Sequence, residues 1–373
     1  MESFSKFLSV ENLMHNNKVR AIAIYLPQFH PTSENDAWWG KGFTEWTNVT
    51  KAKPLFKDHY QPRLPTEMGF YDLRAIETMI EQSKLAAANG IFGFSFYHYW
   101  FGGKRLLHEP VDLMLKTKKP DFPFLLFWAN ESWSRRWLGE ERDVLMKQDY
   151  SDEDDRRHIE WLCNEVFSDK RYITVDGKPV FIFYRPNDLP DCAKTLNTFR
   201  EVAKEKGFKG LYLVGNNSHS IKNPENFDTI LNFEPQLGML KQAFDDKWSY
   251  KRLLNNYSKF KIKSGTLKVY DYSEVKSMMK KRKVPYKFLP CPFVGWDNTA
   301  RRGDKGIMIV NEDPKQFEDS LHWAKEVVKD LPQEERLVFI NAWNEWAEGN
   351  HLEPCIKHGS AFLESVKKVF KDE

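Results

Sequence analysis

Short apolar stretches alternate with amphipathic helical segments along almost the whole chain, and this alternation constrains the fold more than any other feature. Strands that are hydrophobic at nearly every position are typical of a parallel sheet covered by helices on both faces. Eight such stretches occur, so we expect eight strands. They span residues 19–27, 91–100, 123–130, 179–186, 211–216, 229–235, 286–296 and 337–346.

The segments between these strands carry apolar residues at helical spacing. Alternating strands and helices predict an α/β fold, and the count of eight favours a closed (β/α)8 barrel of the TIM type over residues 19–370. An open doubly wound sheet is the alternative, because only a brief link joins the fifth and sixth strands. No GxGxxG loop follows the first strand, so a nucleotide-binding loop of that kind is not predicted. The predicted helices span residues 71–89, 111–116, 152–167, 189–206, 314–329 and 360–370.

The C-terminal ends of the predicted strands carry aromatic and hydrogen-bonding side chains. In barrels of this type the functional groups collect at that end of the strands. Any one of these residues alone is more often structural, but their joint occurrence favours a substrate-binding rim. The candidates are Tyr97, His98, Trp100, Trp128, Asn130, Glu131, Tyr184, Glu234, Trp296, Asp297 and Asn298.

The last predicted strand runs into a stretch in which Glu345 and Glu348 lie among tryptophans. Residues three apart in a helical turn have Cβ atoms about 5–6 Å apart, and retaining glycosidases hold two carboxyl groups about 5–5.5 Å apart. Indole rings desolvate a carboxyl group, which raises its pKa, and they offer a flat surface for a sugar ring. The two glutamates are therefore candidate catalytic groups. A polar strand end with Glu345 in a salt bridge explains the same spacing equally well.

The composition narrows the function further. Aromatic residues make up 15% of the 373 residues, which fits either an aromatic-lined carbohydrate cleft or a large packed core. Cys163, Cys192, Cys291 and Cys355 lie far apart, so neither a zinc site nor a disulfide framework is predicted. No other ligand set is visible, and we expect neither a metal nor a cofactor.

Residues 1–18 form a polar leader without the apolar centre of a secretory signal. No apolar run approaches the roughly 20 residues that cross a bilayer. We therefore expect the chain as given to be cytoplasmic, unless a leader has been trimmed from it.

Residues 241–283 are a basic insertion, with 13 Lys/Arg against 4 Asp/Glu in a chain whose net charge is only +3. Leu253, Leu254, Tyr257 and Phe260 predict a helix with a charged face. Such a face is usually solvated. The alternative is peripheral contact with an anionic membrane surface, such as the inner membrane, or attraction to a lipid-diphosphate carrier. No nucleic-acid recognition motif accompanies the charge.

Residues 36–60 are predicted to form a long loop that carries Trp38, Trp39 and Trp46. Long loops without regular structure are often functional. This segment is interpreted either as a lid over the substrate cleft or as an aromatic cluster that seals the top of the barrel.

Several long motifs resemble those of WbsX-type proteins, which are described as glycosyltransferases and have a domain similar to glycoside hydrolase family 99. The resemblance extends from about residue 22 to residue 363 and implies a (β/α)8 barrel. The motifs are YLPQFHP, WWGKGFTEWTNV, FYHYWFGGKRLL, FWANESWSRRW, FVGWDNTARR and NAWNEWAEGNHLEP.

The resemblance also implies a retaining mechanism on an α-mannoside-like sugar. Glu345 would remove the proton of the sugar's 2-hydroxyl, and Glu348 would protonate the leaving oxygen. Asn344, with Trp343 or Trp346, would orient the sugar. Family 99 hydrolases of known activity usually act outside the cytoplasm, which departs from the location expected here.

Four arginines follow the rim residues, at positions 135, 136, 301 and 302. Arg135, Arg136, Arg301 and Arg302 are interpreted either as ligands of an anionic group on the donor or, preferably, as ion-pair partners that orient the carboxylates.

The leading hypothesis is an enzyme that forms or trims an α-glycosidic bond in O-antigen or capsule assembly, acting on an oligosaccharide or a lipid-linked glycan. Two alternatives stay open. One is an endo-α-glycosidase that degrades glycans. The other is a sugar-binding barrel without catalytic activity.

Overall fold

The computed structural model describes residues 19–134, 144–217, 220–240 and 267–371. The polar leader, Arg135, Arg136 and residues 241–266 of the basic insertion lie outside the described residues. Eight parallel strands form the main sheet: β1 (Arg20–Tyr25), β2 (Gly93–Phe101), β3 (Phe124–Trp128), β4 (Lys178–Phe183), β5 (Tyr212–Asn216), β6 (Thr229–Phe233), β7 (Phe288–Cys291) and β8 (Leu337–Ile340).

The strands follow one another in the order β7-β6-β5-β4-β3-β2-β1-β8, and each neighbouring pair is parallel. Hydrogen bonds also join the two ends of this series. The backbone N–H of Asn341 donates to the carbonyl of Pro292 at 2.9 Å, and that of Val294 donates to the carbonyl of Asn341 at 3.0 Å. These bonds bring β7 beside β8. The predicted (β/α)8 barrel is confirmed.

The strands are buried at nearly every position, as their continuous hydrophobicity predicts. The α-helices whose two ends both lie among the described residues are α1 (Ser33–Trp39), α2 (Glu45–Lys51), α3 (Ile76–Ala88), α4 (Glu109–Thr117), α5 (Asp152–Trp161), α6 (Cys192–Glu205), α7 (Tyr272–Lys281), α8 (Thr299–Arg302), α9 (Pro314–Val328) and α10 (Ala361–Phe370).

Side-chain caps explain several helix starts. Ser151, Asp191 and Asp313 each accept a hydrogen bond from a backbone N–H in the first turn of α5, α6 and α9. The link between β5 and β6 contains only a single 3-10 turn, Pro224–Asn226, in its described part. A short connection therefore replaces a helix at the point where the strand count was least certain.

The prediction of a loop over residues 36–60 is wrong, because this segment contains most of α1 and the whole of α2. Trp46 is buried in the core, with its ring centroid 4.7 Å from that of Phe29 and 5.6 Å from that of Trp346. The segment therefore packs on the rim of the barrel as a sealing layer. Only Trp39 among its tryptophans lines the cavity described below.

A small sheet lies beside the rim, in which Ile307–Val310 pairs with Lys268–Asp271 and with Trp296–Asp297. Strand Lys104–Leu106 pairs with β2, Thr174–Val175 with β4, and Trp133–Ser134 with Val144–Met146. None of the helices within the described ranges is both long and apolar enough to cross a membrane.

Candidate active site

The turn after β8 carries both candidate catalytic glutamates. Asn344–Glu345 forms a short strand that pairs with Asn350–His351, and one 3-10 turn, Trp346–Glu348, lies between them. Gly349 ends this turn with a φ of 60°. A Cβ atom at this position would lie 2.7 Å from a buried guanidinium nitrogen, so the turn requires glycine.

Arg301 joins the two glutamates. Its Nη2 donates to Oε2 of Glu345 at 3.0 Å, and its Nη1 donates to Oε1 of Glu348 at 2.6 Å. Its Nε donates to Oε1 of Glu45 in α2 at 2.7 Å. The side chains of Arg301 and Glu45 are 6% and 0% exposed, whereas that of Glu348 is 20% exposed. One guanidinium group therefore holds three carboxyl groups, and Glu348 is the most accessible of them.

The electrostatics of this cluster favour retention of a proton. Burial raises the pKa of Glu345 and of Glu348 above the usual range, and Arg301 opposes this shift only in part. Glu45 adds to the shift through its negative charge. Three ionised carboxylates would place three negative charges around one positive charge, which disfavours ionisation of both Glu345 and Glu348. Such a pair can present an acid and a base together.

These groups open into a cavity of about 290 Å³. Eight of the predicted site residues line it together, and aromatic and aliphatic side chains form most of the remaining wall. The predicted residues in the lining are Tyr97, Glu131, Tyr184, Trp296, Asn298, Arg301, Glu345 and Glu348. The others in the lining include Leu26, Gln28, Trp39, Tyr99, Trp133, Phe233 and Leu237.

Three phenol groups face the glutamates across this cavity. Burial, with the negative charge of Glu345, raises the pKa of Tyr97, Tyr99 and Tyr184. They therefore stay protonated and can donate hydrogen bonds. Tyr99 was not among the predicted site residues, although strand alternation could have identified it, because it lies two positions after Tyr97 and so points to the same side of β2.

The same alternation removes three predicted residues from the cavity. His98, Trp100 and Trp128 point to the outer side of the barrel, toward α5 and α6. His98 Nε2 lies 2.9 Å from Nε2 of His158, and the rings of Trp100 and Trp128 have centroids 4.4 and 4.6 Å from that of His158. These three side chains are packing residues that hold α5 against the sheet.

Two further predicted residues, Asn130 and Glu234, hold strand ends in place. The Asn130 amide donates to the carbonyl of Arg185 at 3.0 Å and accepts from the N–H of Arg185 at 2.7 Å. Glu234 is buried and ion-paired with Arg282. Burial raises its pKa to about 7 against the effect of that arginine.

Asn344 and Trp346 also lie behind the cavity wall. Asn344 accepts from the backbone N–H of Leu26 at 2.8 Å and donates to the carbonyl of the same residue at 3.1 Å. Trp346 Nε1 donates to Glu353 at 2.6 Å. Both side chains position the glutamate-bearing turn, and Trp343 is fully buried. The expectation that these residues contact the sugar has no support in their positions.

Asp297 faces a second cavity, of about 880 Å³, on the other side of the wall that Trp296 and Asn298 form. Its carboxylate accepts from His59 at 2.9 Å and from Gln61 at 2.7 Å. The Asp297 side chain therefore stabilises the wall between the two cavities and does not line the first cavity.

Glu45 is the functional candidate that sequence reasoning missed. It lies in the motif WWGKGFTEWTNV, but nothing local in that motif indicates a contact with Arg301, which is 256 positions away. Arg302, the last residue of α8, is half-buried. No group of three or more His, Cys, Asp or Glu side chains that could hold a metal ion occurs within the described residues.

Paired carboxyl groups at the end of a barrel strand, in a cavity with aromatic walls, define the class of (β/α)8 barrels with a carbohydrate-type active site. The chain belongs to the glycosyltransferase WbsX family, which it matches over residues 21–366.

The chain is 38% identical over 355 residues to WxcX, an uncharacterized protein of Xanthomonas campestris pv. campestris strain B100, and equally to WxcX of strain ATCC 33913. The match covers 93% of this chain and 49% of WxcX, so the chain spans about half the length of the curated relatives it matches.

Solved structures share the fold. A glycoside hydrolase-like protein superposes with a TM-score of 0.58 at 15% identity, over 96% of this chain and 95% of that one. The GH99 endo-alpha-mannosidase of Bacteroides thetaiotaomicron superposes with a TM-score of 0.57 at 14% identity, over 94% of this chain and 96% of that one. Likeness at this level of identity shows a common barrel.

Proposed function

We propose that this protein forms or cleaves an α-glycosidic bond of a mannoside-like sugar, with retention at the anomeric carbon, in the assembly of a bacterial O-antigen or capsule. The observation that carries this proposal is the placement of Glu345 and Glu348 on Arg301 in a cavity with aromatic walls. The family description, glycosyltransferase WbsX, supports the carbohydrate chemistry.

In the proposed first step, Glu345 takes the proton of the sugar's 2-hydroxyl, and that oxygen attacks the anomeric carbon. The bond to the leaving oxygen breaks as Glu348 protonates it. In the second step, Glu348 removes a proton from water or from an acceptor hydroxyl, which attacks the anomeric carbon. The bond to the 2-oxygen breaks, and this oxygen recovers its proton from Glu345. Two inversions leave the anomeric configuration unchanged.

The charges around Arg301 favour a proton retained on the pair, which the mechanism needs on Glu348, although burial raises the pKa of Glu345, the proposed base, to about 8. The first step needs an ionised Glu345 and a protonated Glu348 at the same time. Because Glu348 is the more exposed of the two carboxyl groups, it is the better placed to meet a leaving group and later an acceptor. The tyrosine and tryptophan side chains of the wall would stack on the sugar and donate to its hydroxyl groups.

The first experiment compares wild type with Glu348→Gln and Glu345→Gln on α-mannosides, with acceptor sugars present and absent, and identifies products by mass spectrometry. We expect both variants to lose about 10²–10⁴-fold in turnover of unactivated mannosides. On a 2,4-dinitrophenyl mannoside, whose leaving group needs no proton, Glu348→Gln should recover the first step and Glu345→Gln should not.

The reverse pattern, in which Glu345→Gln alone recovers, would exchange the two roles. If both variants were as active as wild type, the proposed mechanism would be wrong. A product that contains the acceptor identifies transfer, and a reducing sugar identifies hydrolysis.

Hydrolysis is the second candidate function, because the barrel is similar to that of an endo-alpha-mannosidase. Release of oligosaccharide from a mannan-type chain without an activated donor would favour it. Lipid-linked glycans as substrates, and membrane contact through residues 241–283, are parts of the biosynthetic proposal. Vesicles that contain anionic lipid would test that contact in a sedimentation assay.

A further inference from the structure

A third carboxyl group belongs to the cluster around Arg301, although the proposed reaction uses only two. Glu45 is fully buried in α2, and its Oε1 accepts from Nε of Arg301 at 2.7 Å. Its other oxygen lies 3.5 Å from the amide nitrogen of Asn48. Glu45 does not line the cavity that holds Glu345 and Glu348. It therefore reaches the reacting groups only through Arg301.

The proposed reaction requires one acid and one base in the resting site. A guanidinium group that faced two carboxylates alone would favour ionisation of both, because an opposite charge within about 4–6 Å stabilises the charged form by about 1–3 pKa units. The site would then hold its base but would lose its acid near neutral pH.

Glu45 changes this balance. Its buried negative charge lies against Arg301 and offsets the positive charge that the guanidinium would otherwise present to the pair. The negative charge of Glu45 accordingly raises the pKa of both Glu345 and Glu348. The side chain of Glu45 is 0% exposed, so bulk solvent screens its charge little.

We propose that Glu45 is a positioning residue that acts through Arg301 to keep one proton on the pair of Glu345 and Glu348. This role rests on the proposed function and deepens it, because it assigns the supply of the general acid to a residue outside the cavity. The motif that contains Glu45 thereby gains a role in the active site beyond the packing of Trp46.

The test is a titration of carboxyl groups that needs no substrate. Protein labelled with ¹³C at the glutamate side chains is titrated by NMR, and the signals of Glu345 and Glu348 are assigned by their loss in Glu345→Gln and Glu348→Gln. In Glu45→Gln, the pair should release its retained proton about 1–2 pH units lower than in wild type. Glu45→Asp keeps the charge and should stay close to wild type.

Glu312→Gln is the matched control, because the Glu312 side chain is also buried and ion-paired, but its partner is Arg63. It should leave the titration of the pair unchanged. A pair in Glu45→Gln that titrates at the wild-type pH, or higher, would overturn the inference. Absence of turnover on every glycan would count against the proposed function alone, since the titration does not depend on it.

Discussion

At the scale of single residues, Arg301 is the side chain that connects the charged groups of the site. It is the common partner of Glu45, Glu345 and Glu348, and all four groups are buried or nearly so. Breaking a buried ion pair by removing one partner typically costs about 3–5 kcal/mol, because a charge is left without compensation. We can therefore predict the direction in which replacing Arg301 changes the free energy of unfolding.

We expect Arg301→Met to lower the free energy of unfolding by about 3–5 kcal/mol at pH 8 and by less at pH 5. Without Arg301, the pKa values of Glu345 and Glu348 in the folded state rise further above those of the unfolded chain. A carboxyl group with a raised pKa binds its proton more tightly in the folded state, so stability is lost as the pH rises toward the folded pKa. Urea unfolding at the two pH values measures the difference.

Arg302→Met is the matched control, because Arg302 is the neighbouring, half-buried arginine of the same helix. Its effect should be small and independent of pH. An equal loss of stability in Arg301→Met at pH 5 and pH 8 would contradict the electrostatic explanation.

At the scale of structural elements, the turn after β8 is held from behind by a buried hydrogen-bond network. Glu353 accepts from Trp346 at 2.6 Å, from Tyr71 at 2.9 Å and from Gln82 at 2.7 Å. Burial raises the pKa of Glu353 to about 7 in spite of these donors. Because Trp346 lies between the two catalytic candidates in sequence, this network fixes the turn that presents them.

Glu353→Leu should therefore destabilise the protein by several kcal/mol, since each buried donor left unpaired costs about 1–3 kcal/mol. Glu353→Gln should cost much less. Its amide oxygen can still accept from Trp346 and Tyr71, and rotation of the Gln82 amide restores the third bond. Urea unfolding of both variants measures the difference, and equal destabilisation would show that the charge, and not the hydrogen bonds, matters.

At the scale of the whole molecule, several buried histidines are held neutral inside the fold. Burial lowers the pKa of His98 to about 3 and that of His351 to about 3, and it lowers the pKa of His158 as well. In the unfolded chain each histidine takes up a proton near pH 6.5. The folded state binds fewer protons than the unfolded state between these values, so stability falls as the pH drops below about 6.5.

We expect the free energy of unfolding to fall from pH 6.5 toward pH 4 by up to about 1.4 kcal/mol per pH unit for each buried histidine. His98→Gln should reduce this slope, because glutamine does not titrate. His322→Gln, at an exposed histidine, should leave it unchanged. Urea unfolding at a series of pH values tests this, and a flat profile for wild type would refute it.

The barrel could be predicted from the sequence because its strands are hydrophobic at almost every position. The site was harder to predict. Choosing strand ends without regard to alternation grouped His98, Trp100 and Trp128 with Tyr97. In β2 the side chains of Tyr97 and Tyr99 point inward and those of His98 and Trp100 outward, and Trp128 of β3 also points outward. Asn130 and Asn344 lie at strand ends, but their amides form hydrogen bonds with the backbone of neighbouring segments and do not line the cavity.

The sequence by itself determined the class of fold and the identity of the groups at the strand ends, including Glu345 and Glu348. Both depend on local patterns, which are the period of the apolar residues and the spacing within one turn. Only the tertiary structure decided that Arg301 and Glu45 meet these glutamates. Closure of the barrel brings together residues 256 positions apart, and burial then sets their charges, because a carboxyl group is desolvated only when distant segments pack around it.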